Sequence, residues 1–192
     1  MASKNTIAKL ACIKIGSELV TNVETDNTKR SRTILTIYEH TRDVELSKSY
    51  WKFARKRIVL SADPVAPAFG WGFKYNVPAD FLRVFKIRCQ GNPETVVTEY
   101  DLEGKTLLTD YGDGIYLEYI GKVENENDWH PLFHEVMACK LGVEICYDIT
   151  DSGSKRDRLL NDYKILLAEA KRIDAVQLPP RTPQEDDYIL GR

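Results

Sequence analysis

Residues 71–87, WGFKYNVPADFLRVFKI, decide how this chain is read. Phe69, Trp71, Phe73, Tyr75 and Val77 fall on one side of an extended strand, and Gly70, Gly72, Lys74 and Asn76 on the other. That is the period-2 pattern of a half-buried strand. Pro78 has no N–H to give to a sheet ladder, so the strand is expected to end there. Asp80 supports a short turn, and Phe81 to Arg88, led by Leu82, Val84 and Phe85, resumes as a second strand. Joined by the Pro-Ala-Asp corner, the two are expected to form the kernel of a small antiparallel sheet.

The flanks of this stretch extend the strand pattern. Before it, Arg55 to Ser61 carries Ile58, Val59 and Leu60 and reads as a strand, followed by a loop stiffened by Pro64 and Pro67. After it, Gly91 to Glu94 is a turn and Val96, Val97, Thr98 and Tyr100 form a strand. Glu103 and Gly104 close a hairpin onto Lys105 to Thr109. Asp113 and Gly114 form a second hairpin turn, and Ile115 to Val123 is the last strand, with Ile115, Leu117 and Tyr119 alternating against Tyr116, Glu118 and Ile120. The middle of the chain is therefore expected to be a meander of short antiparallel strands.

Helical spacing governs both ends. Thr6 to Ile15 is a short helix with Ile7, Leu10 and Ala11 on neighbouring turns, stopped by Gly16. Thr25, Asp26 and Asn27 offer N-caps for a second helix running to about Lys48, with Ile34, Ile37, Tyr38 and Thr41 inside. Its other face, Lys29, Arg30, Arg32, Arg42 and Asp43, is expected to be solvated or to face a partner. Asp128 is the expected cap of a third helix with Pro131 in its first turn, where a missing N–H is harmless. Phe133, Val136, Met137, Leu141 and Ile145 form its buried stripe as far as about Asp148. A fourth helix follows the connector Asp151 to Ser154, with Leu159, Tyr163, Leu166, Leu167, Ala170 and Ile173 on one face. From Leu178 the periodicity stops at Pro179, Pro180 and Pro183, yet the tail ends in Tyr188, Ile189 and Leu190.

The fold class is α+β: a four-helix bundle, an antiparallel β-sheet lobe inserted between helices 2 and 3, and an extended C-terminal tail. The expected divisions are residues 1–50 for the first half of the bundle, 51–127 for the lobe, 128–177 for the second half and 178–192 for the tail.

Composition narrows the function. A chain of 192 residues with 43% apolar and 10% aromatic content can bury a core. Its 27 Lys and Arg against 29 Asp and Glu, net charge −2, lack the basic excess of a dedicated nucleic-acid binder. No apolar run approaches the roughly 20 residues that span a bilayer, and Lys9 and Lys14 interrupt any signal-peptide centre. Cys12, Cys89, Cys139 and Cys146 are scattered, without a C-x-x-C pair, and read as buried thiols in a reducing compartment.

The sequence carries no catalytic signature. His130 and His134 stand four apart at a helix start, but HPLFHE lacks the HExxH order and offers no third ligand. There is no phosphate-binding glycine loop closed by Lys and Ser or Thr, and no G-x-S-x-G elbow. Asp186 and Asp187 lie in the tail, a poor place for preorganised acid–base work. The expectation is a non-enzyme with no cofactor and no metal. Three basic clusters, Lys29/Arg30/Arg32, Arg55/Lys56/Arg57 and Lys155/Arg156/Arg158, can touch phosphate or simply be solvated and paired with acids. The apolar tip of the tail asks for something to bury it.

Taken together, the chain resembles the head-to-tail adaptors of tailed bacteriophages, in particular the tail tubular protein A family of short-tailed phages. The resemblance covers nearly the full length. It is carried by the helix ending in Ile15 and Gly16, the WxFA phrase at Trp51, Phe53 and Ala54, and the Arg57 to Leu60 strand. It continues through the P-x-F-G-W phrase from Pro67, the run from Val77 and Pro78 to Val84, Tyr119 with Ile120, and the Pro131-Leu132-Phe133 helix entry. It departs at Asn76-Val77, where the family favours a leucine before the proline. Trp51, Phe53, Trp71, Phe73, Pro78, Asp80, Leu82 and Arg83 would be packing residues of the family pattern.

The resemblance implies a structural virion protein at the head–tail junction, made in the host cytoplasm during assembly. It would form a homo-oligomeric, dodecameric ring between the portal protein and a tail nozzle of the tail tubular protein B kind. Genomic DNA would pass through the lumen without sequence-specific binding, and no membrane would be involved. The portal-binding candidates are Leu178, Tyr188, Ile189 and Leu190, and the lumen face is expected to be mixed or acidic. The alternative from the residues alone is a monomeric binding module that holds a partner or carbohydrate on Trp71, Phe73, Tyr75 and Tyr116.

Overall fold

The computed structural model describes residues 3–176, so the portal-binding candidates Leu178, Tyr188, Ile189 and Leu190 lie outside the described residues. The chain is α+β, and its elements follow the expected order. Two helices, α1 (Lys4–Ile15) and α2 (Lys29–Ser47), precede six strands: β1 (Arg55–Leu60), β2 (Phe73–Asn76), β3 (Phe81–Cys89), β4 (Asp101–Glu103), β5 (Thr106–Thr109) and β6 (Ile115–Gly121). Two more helices, α3 (Pro131–Thr150) and α4 (Gly153–Val176), follow them.

The helix ends are set by local chemistry. Ser3 caps α1 by accepting from the Thr6 amide, and Gly16, at φ 68°, turns the chain out of it. The Gly16 and Ser17 amides return to the carbonyls of Ile13 and Cys12, which satisfies groups that the helix end would otherwise orphan. The cap of α2 is Thr28, not Thr25, Asp26 or Asn27. Asp26 is engaged elsewhere, its carboxylate accepting from the Thr21 and Asn22 amides at 2.7 and 3.2 Å. The cap of α3 is His130, whose Nδ1 accepts from the Leu132 amide, while the expected cap Asp128 ends the preceding 3-10 turn.

Helix α3 is central because it is apolar almost all round: ten of its residues are buried, including the whole expected stripe. It packs against α1, α2 and α4. Phe133 is the aromatic hub of this core, with its ring centroid 5.1 Å from those of Trp51, Phe53 and Trp129. The α2 face expected to be solvated is not uniformly so. Arg42 is only 6% exposed and pairs with Asp43, whose other oxygen takes Lys122 at 2.7 Å, tying α2 to the chain just beyond β6.

The strands do not form a meander. They make two antiparallel three-stranded sheets, β1-β6-β3 and β2-β5-β4. The expected β2–β3 kernel is therefore corrected: β2 pairs with β5 and β3 with β6, so the corner at residues 78–80 carries the chain from one sheet to the other. The segment after Asp113-Gly114 likewise changes sheet instead of closing a hairpin, whereas Gly104, at φ 60°, does close the β4–β5 hairpin. Residues 96–100 form no strand and contribute one bridge, Val96 to Arg88. The aromatic alternation also starts later than its pattern suggests. Phe69 is 89% exposed, Gly70 turns at φ 87°, and only Tyr75 and Val77 of the five are buried.

Inner side chains of both sheets, among them Leu60, Ile87, Ile115 and Leu117 from one and Tyr75 and Leu107 from the other, share a lobe core distinct from the helical core. Strand β6 connects the two. Ile115, Leu117 and Tyr119 point into the lobe, while Ile120 points into the helical core. This is why its alternation lapses into consecutive buried residues at its end.

Candidate functional site

Because the two sheets share one core between their inner faces, their outer faces look away from each other. The register of the first sheet decides what its outer face carries. Arg55, Arg57 and Val59 of β1 stand opposite Ile120, Glu118 and Tyr116 of β6, and Lys86 and Arg88 of β3 stand opposite the latter two. Ile120 is covered by the helices, but the remainder of this face is open, and Arg57 and Val59 are exposed. A single acid, Glu118, serves three guanidinium groups, at 3.5 Å from Arg55, 3.9 Å from Arg57 and 3.8 Å from Arg88. None of these contacts is a tight fork, and Lys86 adds a fourth cation, so the face keeps an excess of positive charge. Between these groups lies a shallow groove of ≈ 640 Å³ whose floor is aliphatic and aromatic, from Ile58, Val59 and Tyr116. The Arg55 guanidinium lies 4.1 Å from the Phe85 ring centroid and that of Arg83 lies 4.2 Å from Tyr50, an arrangement that holds planar cations along one edge.

The outer face of the second sheet has the opposite character. Asp101 and Glu103 of β4 are exposed, and neither lies in an ion pair among the described residues. With Trp71, Phe69 and Pro67 they border a second groove of ≈ 400 Å³. Its one cation, Lys74, reaches Asp63 at 3.9 Å.

The corner between the sheets is fixed by Asp80. Its carboxylate takes Lys56 Nζ at 2.6 Å and the Tyr119 hydroxyl at 3.1 Å, and its carbonyl accepts from the Lys122 amide at 2.8 Å. Burial opposes the charge on Asp80, but Lys56 and Tyr119 outweigh it, and the carboxyl is held below its ordinary range. The Tyr119 hydroxyl is pushed up to about 12 by burial and by the neighbouring carboxylate. Gly121 leaves room for this cluster, since a Cβ there would stand 2.8 Å from Lys56 Cδ and 2.9 Å from Asp80 Oδ2.

The residues of the family pattern do not form one packing core. Trp51 is fully inside the helical core, with its indole N–H on the Glu45 carbonyl, and Phe53 and Leu82 pack at the border of that core. Pro78 and Asp80 make the corner, Trp71 is half-buried beside the acidic groove, and Phe73 and Arg83 are exposed. The aromatic set Trp71, Phe73, Tyr75 and Tyr116 does not converge either. Tyr75 is buried with its hydroxyl on the Tyr111 carbonyl, and Tyr116 belongs to the other sheet. His130 and His134 are used as structural partners, the second donating from Nε2 to the Glu126 carbonyl at 2.7 Å. The four cysteines are buried free thiols.

Of the basic clusters, Lys29 and Arg30 pair with Asp148 and Glu18 at 2.7 Å, whereas Arg55 and Arg57 belong to the basic sheet face. Lys86, Arg88 and Glu118 were not singled out from the sequence. The available signal was the i, i+2 spacing of Arg55 with Arg57 and of Lys86 with Arg88, which puts each pair on one side of its strand. No helix among the described residues is long and apolar enough to cross a membrane. No protein-family model matches this chain, and no curated protein matches it.

Proposed function

We propose that this protein is a head-to-tail adaptor, a structural ring component placed between a phage portal and its tail nozzle. The observation that carries the reading is the agreement between the family-like phrases and the position of the sheet lobe between two pairs of helices. The exposed face of α4 adds support. Lys155, Arg156, Asp157, Arg158, Asp162, Lys164, Glu169 and Arg172 are interspersed along it, five cations to three acids, a surface of mixed sign and not a continuous basic stripe.

In this reading the ring is dodecameric and heterologous, with each copy meeting its neighbours through two different surfaces. Weak individual contacts then suffice, because a closed ring multiplies them. Leu178, Tyr188, Ile189 and Leu190 contact the portal, and the lobe faces outward or towards the nozzle. DNA passes without base-specific contacts.

The experiment is capture of the portal protein by the full chain and by a chain lacking residues 184–192. The reading expects the full chain to bind and the shortened one to lose binding. Unchanged capture by the shortened chain removes the tail anchor, and absence of capture by the full chain removes the adaptor role.

A further inference from the structure

From the two outer faces of the lobe we infer that neighbouring copies of this chain associate through it, the acidic side of one lobe seating on the basic side of the next. The inference deepens the ring reading, on which it rests for a closed arrangement. The two faces look in opposite directions, because the sheets that bear them share a core through their inner sides. A copy thus presents cations on one side and carboxylates on the other, which favours head-to-tail over two-fold association.

The match extends to apolar surface. On the basic side, Ile58 and Val59 are 37% and 50% exposed, and with Arg57 they form a run of three exposed residues inside one strand. A strand normally hides every second residue, so β1 is open on its edge as well as its outer face. On the acidic side, Phe69 is 89% exposed beside Asp101 and Glu103, and the edge strand β4 is exposed throughout, so that even Leu102, on its inner side, is 40% exposed. Both strands are terminal in their sheets. Aliphatic and aromatic groups rimmed by opposite charges are the composition of a specific interface, in which the charges set orientation and partner choice.

The test uses two charge-reversed full-length variants, R57E and D101K/E103K, all at exposed positions. Sedimentation across a concentration series at low salt measures self-association of each alone and of their equimolar mixture. The wild type is expected to self-associate, less so as salt rises, and each variant is expected to associate at least ~10-fold more weakly. The mixture is expected to recover, because R57E keeps the native acidic side and D101K/E103K the native basic side, and the two together restore one wild-type contact. Misfolding of either variant cannot produce that recovery. Wild-type-like association of the variants, a mixture no stronger than its parts, or a wild type that stays monomeric overturns the inference.

A chain ending at residue 176 separates the remaining occupant. If it loses association while D101K/E103K keeps it, the basic side is taken by Glu185, Asp186 and Asp187 of the tail, and the lobe-to-lobe contact is wrong. Images with a portal ring keep the two readings apart. Rings formed equally by wild type and both variants overturn only the lobe contact, whereas a wild type that forms no ring there overturns the adaptor reading.

Discussion

Tyr163 of α4 donates its hydroxyl hydrogen to the buried Glu45 of α2 across 2.8 Å, joining residues 118 apart in the chain. Lys48 completes the group, 2.6 Å from the other Glu45 oxygen and 2.8 Å from the Tyr163 oxygen. The Tyr163 hydroxyl is pushed well above its ordinary range, by burial first and by the Glu45 carboxylate next. Glu45 is fully buried, and its carbonyl also holds the Trp51 indole, so one residue aligns α2, α4 and the entry to the lobe.

Removal of that carboxylate leaves the buried Tyr163 hydroxyl without its acceptor, while Lys48, which is exposed, keeps its bond to the Tyr163 oxygen. Glu45→Ala is expected to cost about 1–3 kcal/mol, the cost of a buried hydroxyl left without its acceptor, read as a lower urea midpoint. Tyr163→Phe is expected to cost about 1 kcal/mol. In the double variant the two losses should not add, because both remove one interaction.

Phe133→Ala is expected to cost about 3–5 kcal/mol, the usual range for emptying a large aromatic site. It removes the ring on which Trp51, Phe53 and Trp129 converge. Tryptophan emission should shift to the red as Trp51 and Trp129, now 1% and 3% exposed, loosen. An unchanged melting temperature would show that the hub is dispensable.

Two glycines should answer alanine in opposite ways. A Cβ at Gly142 of α3 meets only ordinary contacts, 3.5 Å from Ile15 Cγ2 and 3.6 Å from the Ala11 carbonyl. Gly142→Ala should therefore stabilise by about 0.5–1 kcal/mol through helix propensity. Gly121→Ala drives a methyl into the Lys56–Asp80–Tyr119 cluster and should destabilise by about 1–3 kcal/mol. Thermal unfolding of the two variants checks both signs.

The same cluster predicts two pH limbs. Asp80 has a lowered carboxyl pKa in the folded chain, so its contribution is present above the ordinary Asp range and is lost as pH falls through the folded value. Tyr119, at about 12 when folded, ionises more readily when unfolded. Its contribution is present below about pH 10 and is lost as pH rises towards 12. Asp80→Asn should flatten the acid limb of a stability–pH curve, and Tyr119→Phe the alkaline one. Limbs of unchanged slope in both variants would count against this assignment.

The helices were legible in the sequence because each carries its own period and its own stops. Gly16 ends α1, Pro131 opens α3, and the stripe from Phe133 to Ile145 is buried as read. Caps were harder to place, since Asp26 and Thr28 are both accepted cap residues and the bonds of Asp26 back to the Thr21 and Asn22 amides decided between them. Sheet pairing was not legible. Alternation tells which residues share a side of a strand, and it says nothing about which strand lies beside it. The corner at Pro78 to Asp80 looks like a hairpin turn locally, yet β2 and β3 belong to different sheets. Phe69 misled for a related reason, because an exposed aromatic fits the same alternation as a buried one. The basic face was half legible, since Arg55 and Arg57 share a strand but only the register brings Arg88 and Glu118 beside them.

The adaptor reading is tested most directly by imaging the full chain mixed with the portal protein of the same virion. It predicts a closed, coaxial ring of copies stacked on the portal, with an open channel through both. Portals bearing no ring, or isolated single copies, would contradict it.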